Sequence, residues 1–186
     1  MKLKNLLFSK NKNRFYLMHL SYGKEDKEKA TRLPNLWNFS LGESLIGLDL
    51  TNYVKDDWPK ARNSARKSLI DHHLQGWIGQ FDKFCTKICS DSMEIGDIVL
   101  ILEGQRHLLG VAEVTTGHKY QPELAESRGG DFFAHVRGVS WHPEGRKFDF
   151  DERLEIPIIE GFVNTLDIVK MGTTRWSTLT PIEMRS

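Results

Sequence analysis

The sequence has few cysteines and no long apolar run. Its only two cysteines are Cys85 and Cys89, so it lacks the disulfide framework of small secreted domains. Their four-residue spacing within a predicted helix also aims the side chains poorly for a single bridge. No apolar stretch approaches the roughly 20 residues of a membrane-spanning helix. Residues 1–14 are basic around a short apolar patch without a signal-peptide cleavage site. We therefore expect a cytoplasmic protein that does not enter membranes and has reduced, core-facing thiols.

An excess of charge of one sign is missing as well. The 26 Lys and Arg residues are matched by 25 Asp and Glu residues, which gives a formal net charge of +1. A nucleic-acid-binding protein of this composition would need to gather its basic residues on one face. Hydrophobic residues make up 39% and charged residues 27% of the chain, values typical of a globular protein. The length predicts a single domain over residues 1–186.

Signature motifs of catalysis and metal binding are also absent. We find no Gly-x-Ser-x-Gly motif, phosphate-binding loop or paired-cysteine signature. The two cysteines alone do not have zinc-ligand spacing, and a zinc site would have to draw on scattered histidines. Asp71, His72 and His73 are adjacent and point in different directions on a helix. Glu113 has no second carboxylate at a defined spacing. We therefore expect no metal, no cofactor and a binding function in place of an enzymatic one.

The hydrophobic pattern predicts an α+β fold. We expect five or six short, mostly antiparallel strands, at residues 15–20, 44–50, 98–102, 108–114, 132–141 and 154–159. Two consecutive helices lie between the second and third strands. The first begins near Pro59, and the second carries Trp77, Phe81 and Phe84 in the core, with Ile88 on the same face. A helical turn at residues 33–39 and a short helix at 161–171 complete the prediction. Gly47 indicates a close backbone approach in the second strand.

Residues 96–141 carry a resemblance to a known family. Gly96 and Asp97 lead into one apolar strand, a second strand reads LGVAEV at residues 109–114, and a basic-aromatic strand ends at Trp141. This order resembles EVE and YTH domains of the PUA-like superfamily. The segments FYLMH at 15–19, IGLDL at 46–50 and ARN at 61–63 extend it toward the EVE-like modules fused to McrB-type restriction GTPases. The resemblance implies a small β-barrel flanked by helices.

The same resemblance implies a protein that recognises a methylated base by flipping it into an aromatic pocket, with DNA favoured over RNA as the polymer. Extruding a base costs a few kcal/mol, which stacking worth about 1–3 kcal/mol and hydrogen bonds to the base edge can offset. The chain would be the targeting module of a modification-dependent restriction system, with fused or associated GTPase and nuclease subunits. If the chain is the N-terminal fragment of a longer protein, the resemblance implies a GTPase motor of the McrB type in the C-terminal part. An RNA-binding PUA-like module and a small enzyme with a dispersed site are the alternatives.

Six residues are candidates for the base pocket: Leu48, Asp49, Trp58, His118, Tyr120 and Trp37. Many relatives carry an aromatic residue after the second-strand glycine where this sequence has Leu48, so one wall is aliphatic or the cage is completed from elsewhere. Tyr120, in a polar loop after the best-matched strand, is the first candidate. Trp58 is expected near the surface because charged residues precede it. Asp49 could accept a hydrogen bond from an exocyclic amine, or serve only as a turn residue.

Five basic residues are candidate phosphate contacts: Lys60, Arg62, Arg66, Lys67 and Arg137. The first four lie near the start of the first of the two consecutive helices, where backbone N–H groups also favour anions. A solvated helix face is the alternative for each of them.

Overall fold

The computed structural model describes most of the chain between Arg14 and His142, and two short strands beyond it. The described residues are 14–19, 29–48, 53–90, 92–103, 107–126, 133–142, 154–155 and 166–169. The candidate pocket residue Asp49 lies outside them. So do residues 156–159 of the predicted edge strand.

Eight strands and four helices are formed by the described residues, which confirms the predicted α+β class. The strands are β1 Phe15–His19, β2 Leu45–Leu48, β3 Ile98–Glu103, β4 His107–Val114, β5 Lys119–Tyr120, β6 His135–Trp141, β7 Leu154–Glu155 and β8 Leu166–Val169. The helices are α1 Lys29–Glu43, α2 Trp58–Asp71, α3 Gly76–Cys85 and α4 Pro122–Glu126. As predicted, α2 and α3 lie between the second and third strands.

The strands form a curled sheet in the order β2-β6-β4-β3-β1-β8, with β5 pairing to β6 and β7 to β4. The β1–β3 pair is parallel, and the other pairs are antiparallel. Strands β2 and β8 are the two ends of this order. Among the described strands, these ends do not pair with each other, so the sheet is a half-barrel, whereas a small barrel was predicted.

The centre of the sheet is the predicted β3–β4 hairpin. All five residues from Ile98 to Leu102 are buried, as expected for a strand that is covered on both faces. At the edge formed by β2, a Cβ on Gly47 would lie 2.2 Å from the Cβ of Phe133. The predicted close approach at Gly47 is therefore confirmed, because no larger residue fits there without movement.

Helices α2 and α3 are held together around one buried carboxylate. Trp58 donates its indole N–H to Oδ1 of Asp82 at 2.9 Å. Arg62 donates to both oxygens of the same carboxylate, at 2.7 and 2.8 Å. Burial alone raises the pKa of Asp82, but the hydrogen bonds from Arg62 and Trp58 outweigh this and lower it. The ionised carboxylate therefore joins the start of α2 to the middle of α3.

Several sequence predictions are corrected by the structure. Trp58 is fully buried and not near the surface, because Asp82 satisfies its N–H. Ile88 is 67% exposed since it lies beyond the end of α3. The predicted turn at 33–39 belongs to the 15-residue helix α1. The predicted helix at 161–171 contains strand β8, which pairs with β1.

Both cysteines are free thiols, as predicted, but only Cys85 is buried; Cys89 is half-buried. Among the helices in the described part of the chain, none has the length and apolar character needed to span a membrane.

Candidate functional site

An open cleft of about 990 Å³ lies beside the edge of the sheet formed by β5 and β6. Three stretches of chain form its walls: the start of α2, the connection from α3 to β3, and the segment that contains β5 and α4. Its volume is at the upper end of the range typical of small-molecule pockets, about 300–1,000 Å³. Its lining residues are Asp56, Asp57, Pro59, Lys60, Cys85, Thr86, Lys87, Met93, Glu94, Ile95, Gly117, His118, Lys119, Tyr120, Gln121, Glu123 and Arg137.

Two candidate pocket residues, His118 and Tyr120, line this cleft. The register of β5 on β6 pairs Tyr120 with His135, and their ring centroids lie 4.9 Å apart. The ring of His118 is nearly parallel to that of His135, with a centroid distance of 5.3 Å and an interplanar angle of 14°, and the two rings meet edge to edge, with Nε2 of His118 3.1 Å from Nδ1 of His135. The buried ring of His135 therefore positions both cleft residues.

Three other candidate pocket residues lie in the hydrophobic core and do not line the cleft. Leu48, Trp37 and Trp58 are almost fully buried. Trp37 packs edge-on against Trp141 at 5.1 Å between centroids, and Trp58 packs against Phe81 at 4.9 Å. Their apolar surface is already used in packing, so they could meet a ligand only if the core opened.

A cluster of three side chains lies at the inner end of the cleft. Nδ1 of His135 is 3.1 Å from Nε2 of His118 and 3.8 Å from Sγ of Cys85. One ligand atom from each residue lies within 4.8 Å of the others. We call Cys85, His118 and His135 the inner cluster.

Burial keeps the inner cluster uncharged near neutral pH. It lowers the pKa of His118 to about 4 although Asp57 acts in the opposite direction. It lowers the pKa of His135 to about 3, with a further contribution from neighbouring His118. Burial also raises the pKa of the Cys85 thiol well above its usual value. The cluster thus presents neutral imidazoles and a neutral thiol.

Arg137 reaches the floor of the cleft as a buried cation. Its Nε donates to the carbonyl of Phe84 at 2.6 Å, and its Nη1 donates to the carbonyl of Thr116 at 3.3 Å. The guanidinium carbon lies 5.5 Å from the centroid of the Phe84 ring. Burial lowers the pKa of Arg137. The side chain is thus held by backbone carbonyls, with its guanidinium bordering the cleft.

The remaining four candidate phosphate contacts have three different surroundings. Lys60 is exposed and lines the cleft. Arg62 is engaged by Asp82. Arg66 and Lys67 are exposed on α2 and do not line the cleft.

The lining of the cleft has a balanced charge. Its basic members are Lys60, Lys87, Lys119 and Arg137, and its acidic members are Asp56, Asp57, Glu94 and Glu123. Any attraction for phosphate is therefore local and not a property of the whole cleft.

The sequence did not indicate the inner cluster. Cys85 and His135 are 50 positions apart, and no motif of fixed spacing connects the two residues. They meet because the end of α3 packs against β6, a long-range contact that hydrophobic periodicity does not reveal. Asp57 was also missed; its Oδ1 lies 3.7 Å from Nδ1 of His118.

Comparison with known proteins gives one family match. The family model described as "Domain of unknown function (DUF8426)" matches residues 31–155. None of the curated proteins matches the chain.

Among solved structures, the chain is similar to the YTH domain of the Zygosaccharomyces rouxii MRB1 protein in complex with N6-methyladenosine RNA. The identity is 13% and the TM-score 0.34, over 71% of this chain and 59% of that one. The chain thus spans less than two thirds of that structure. A similarity at this level decides neither the ligand nor the activity of this protein.

Proposed function

We propose, for a chain that belongs to the DUF8426 family of domains of unknown function, that the cleft binds a modified base of a nucleic acid. The observation that carries this proposal is the position of Tyr120 and His118, two rings held against His135 on one wall of the cleft.

Half-buried Tyr120, held beside His118 and His135, supplies the stacking that an extruded base requires. Base stacking on an aromatic side chain is worth about 1–3 kcal/mol and does not depend on the identity of the base. Ile95, which is 66% exposed, adds apolar surface to the cleft. A methyl group buried against such surface gains about 0.8 kcal/mol, so a methylated base would be favoured over its unmodified form.

Polar groups in the cleft match the edge of a base. Asp57 is partly exposed beside His118, where its carboxylate is able to accept a hydrogen bond from an exocyclic amine. Gln121 is half-buried in the same wall and offers an amide donor and acceptor. Lys60, Lys87 and Lys119 are exposed lining residues that can contact phosphates.

We infer that the chain binds and does not catalyse. A catalytic cysteine needs a lowered pKa or an adjacent general base whose pKa lies near the working pH. Burial has the opposite effect on Cys85, and it lowers the pKa of His118 to about 4 and that of His135 to about 3, which makes both imidazoles weak bases. In the absence of a metal, the inner cluster therefore lacks the activation expected of a nucleophile and its base.

We further infer that the polymer is DNA and that the chain targets a modification-dependent restriction complex with GTPase and nuclease subunits. This part rests on the order of the sequence motifs that resemble EVE-like modules. An RNA-binding role uses the same cleft and is separated from the DNA role by the choice of probe.

A binding panel tests the proposal. Otherwise identical duplexes carrying N6-methyladenine, 5-methylcytosine, 5-hydroxymethylcytosine or no modification are titrated with the chain at one stated salt concentration, because phosphate contacts dominate raw affinity. Single-stranded RNA with and without N6-methyladenosine forms a second arm. We expect one modified DNA to bind at least about fourfold more tightly than its unmodified duplex, the value that one buried methyl group supplies.

The outcomes distinguish each part of the proposal. Equal affinity for every modified and unmodified pair overturns recognition of a modified base. A preference confined to the RNA arm retains recognition of the base and overturns the DNA and restriction assignment.

A further inference from the structure

We propose that the inner cluster is a metal site in which Cys85 Sγ, His118 Nε2 and His135 Nδ1 bind one Zn²⁺. This inference goes beyond the binding of a modified base and does not depend on it. It also departs from the sequence analysis, which predicted no metal site.

The distances within the inner cluster suit tetrahedral zinc. Usual zinc bond lengths place a thiolate sulfur about 3.6 Å from an imidazole nitrogen, and two imidazole nitrogens about 3.3 Å apart. The corresponding separations are 3.8 Å between Cys85 and His135 and 3.1 Å between the two histidines. All three ligand atoms lie within 4.8 Å of one another. Small side-chain rotations would bring them onto one ion.

Hydrogen bonding alone does not account for this arrangement. Nδ1 of His135 faces both the thiol of Cys85 and Nε2 of His118, yet a neutral imidazole nitrogen makes one strong hydrogen bond in the plane of its ring. One of the two neighbours is therefore left with a poor partner in a buried place. A cation bound by all three lone pairs would satisfy them together.

The outer nitrogen of His118 has surroundings suited to a metal ligand. Metal-bound histidines usually direct their second nitrogen at a carboxylate or a carbonyl. Nδ1 of His118 lies 3.7 Å from Oδ1 of Asp57. His135 is fully buried, and its Nε2 has no hydrogen-bond partner among the described residues, although the Val54 backbone lies beside its ring and raises its pKa.

The charges around the cluster partly oppose and partly favour a cation. Arg137 is a buried positive charge that interacts with Cys85 and favours its thiolate form. Asp57 and the thiolate supply negative charge beside the ion. Although burial holds the free thiol protonated, a coordinating metal removes that proton. The bound thiolate would then interact favourably with both the ion and Arg137.

The donor set selects the class of metal. One thiolate and two imidazoles suit Zn²⁺ and neighbouring late transition ions, whereas Mg²⁺ and Ca²⁺ prefer oxygen ligands. Three protein ligands leave one position of a tetrahedron open. Because Cys85 and His118 line the cleft, that position is on the cleft side. The ion would also fix the segment that carries Tyr120, two residues after His118, to α3 and β6.

Cobalt titration of the metal-stripped full chain tests the site, because Co²⁺ takes the place of Zn²⁺ and absorbs visible light. We expect one equivalent to produce a thiolate-to-cobalt charge-transfer band and tetrahedral d–d bands, both abolished by one equivalent of Zn²⁺. Cys85→Ser should remove the charge-transfer band, and the matched variant Cys89→Ser should retain it. Asp57→Asn should weaken binding by about 10- to 100-fold.

Other results overturn the site. They are the absence of a charge-transfer band in the wild type, a band that persists in Cys85→Ser, and binding abolished by replacing the exposed His73 with Asn. Circular dichroism checks that each variant is folded. If Cys85→Ser does not fold, His118→Asn replaces it as the test, and cobalt affinity unchanged from the wild type then contradicts the proposal.

Discussion

Replacing His118 with Asn should make the protein less sensitive to acid. In the folded protein, burial lowers the pKa of His118 from 6.5 to about 4. The unfolded chain therefore binds a proton at pH 5 that the folded chain does not. The stability that depends on this neutral imidazole is fully present above about pH 6.5 and is lost as the pH falls toward about 4.

The size of this effect follows from the pKa values. The change from 6.5 to about 4 corresponds to about 3 kcal/mol at 1.36 kcal/mol per pH unit. The side chain is only 7% exposed, so screening by solvent removes little of it. Near pH 5, His118 alone contributes a slope of about 1.2 kcal/mol per pH unit to the free energy of unfolding. His135, with a pKa of about 3, contributes a similar slope.

Urea denaturation at pH values from 4.5 to 7.5, in buffers that contain a chelator, measures the slope. The wild type should lose stability more steeply below pH 6.5 than His118→Asn, with a difference of about one bound proton per molecule. The substitution also changes the free energy of unfolding at pH 7. The comparison therefore uses the slopes of the free energy of unfolding against pH and not its absolute values. Parallel curves would show that His118 is solvated in the folded state and would contradict the structure of the inner cluster.

Three substitutions elsewhere test the packing by denaturant unfolding. Gly47→Ala should destabilise the protein by about 1–3 kcal/mol or more, because its Cβ would lie 2.2 Å from Phe133; unchanged stability would contradict the close approach. Gly79→Ala in helix α3 is the matched control, because a Cβ added at Gly79 would have no neighbouring atom within 4 Å. It should stabilise the protein by about 1 kcal/mol. Trp58→Phe should cost about 1.5–3 kcal/mol by removing a hydrogen bond to the charged Asp82, and a cost near zero would refute that bond.

The strands of the sheet were predictable from the sequence where several apolar residues follow one another. The β3–β4 hairpin comes from two apolar runs that a short polar stretch of sequence separates, a local signal that tertiary packing reinforces. Helix α1 was predicted only as a turn at residues 33–39, because Pro34 and Gly42 are unfavourable within helices. Strand β8 was predicted as helix because its four residues are too few to distinguish the hydrophobic period of a strand from that of a helix. Its strand conformation depends on pairing with β1.

The candidate site was predictable only in part. His118 and Tyr120 were selected because they follow the best-matched strand in a polar loop, and both line the cleft. Leu48 and Trp58 were also predicted to line the pocket, but both are buried in the core. The sequence around a residue does not show whether its side chain points into the core or toward a cleft. Cys85 and His135 could not be found, because their contact depends on how α3 packs against β6.

The central claim is that the cleft recognises a modified base through Tyr120. The most direct measurement is the ratio of affinities for modified and unmodified duplex, compared between the wild type and Tyr120→Ala, with Tyr53→Ala as an equal truncation outside the cleft lining. Loss of the ring against which the modified base packs should weaken binding of the modified duplex by the preference of at least about fourfold that the modification supplies, and leave binding of the unmodified duplex, which depends on phosphate contacts, nearly unchanged. The ratio should therefore collapse in Tyr120→Ala and persist in Tyr53→Ala. An unchanged ratio in Tyr120→Ala would contradict the account.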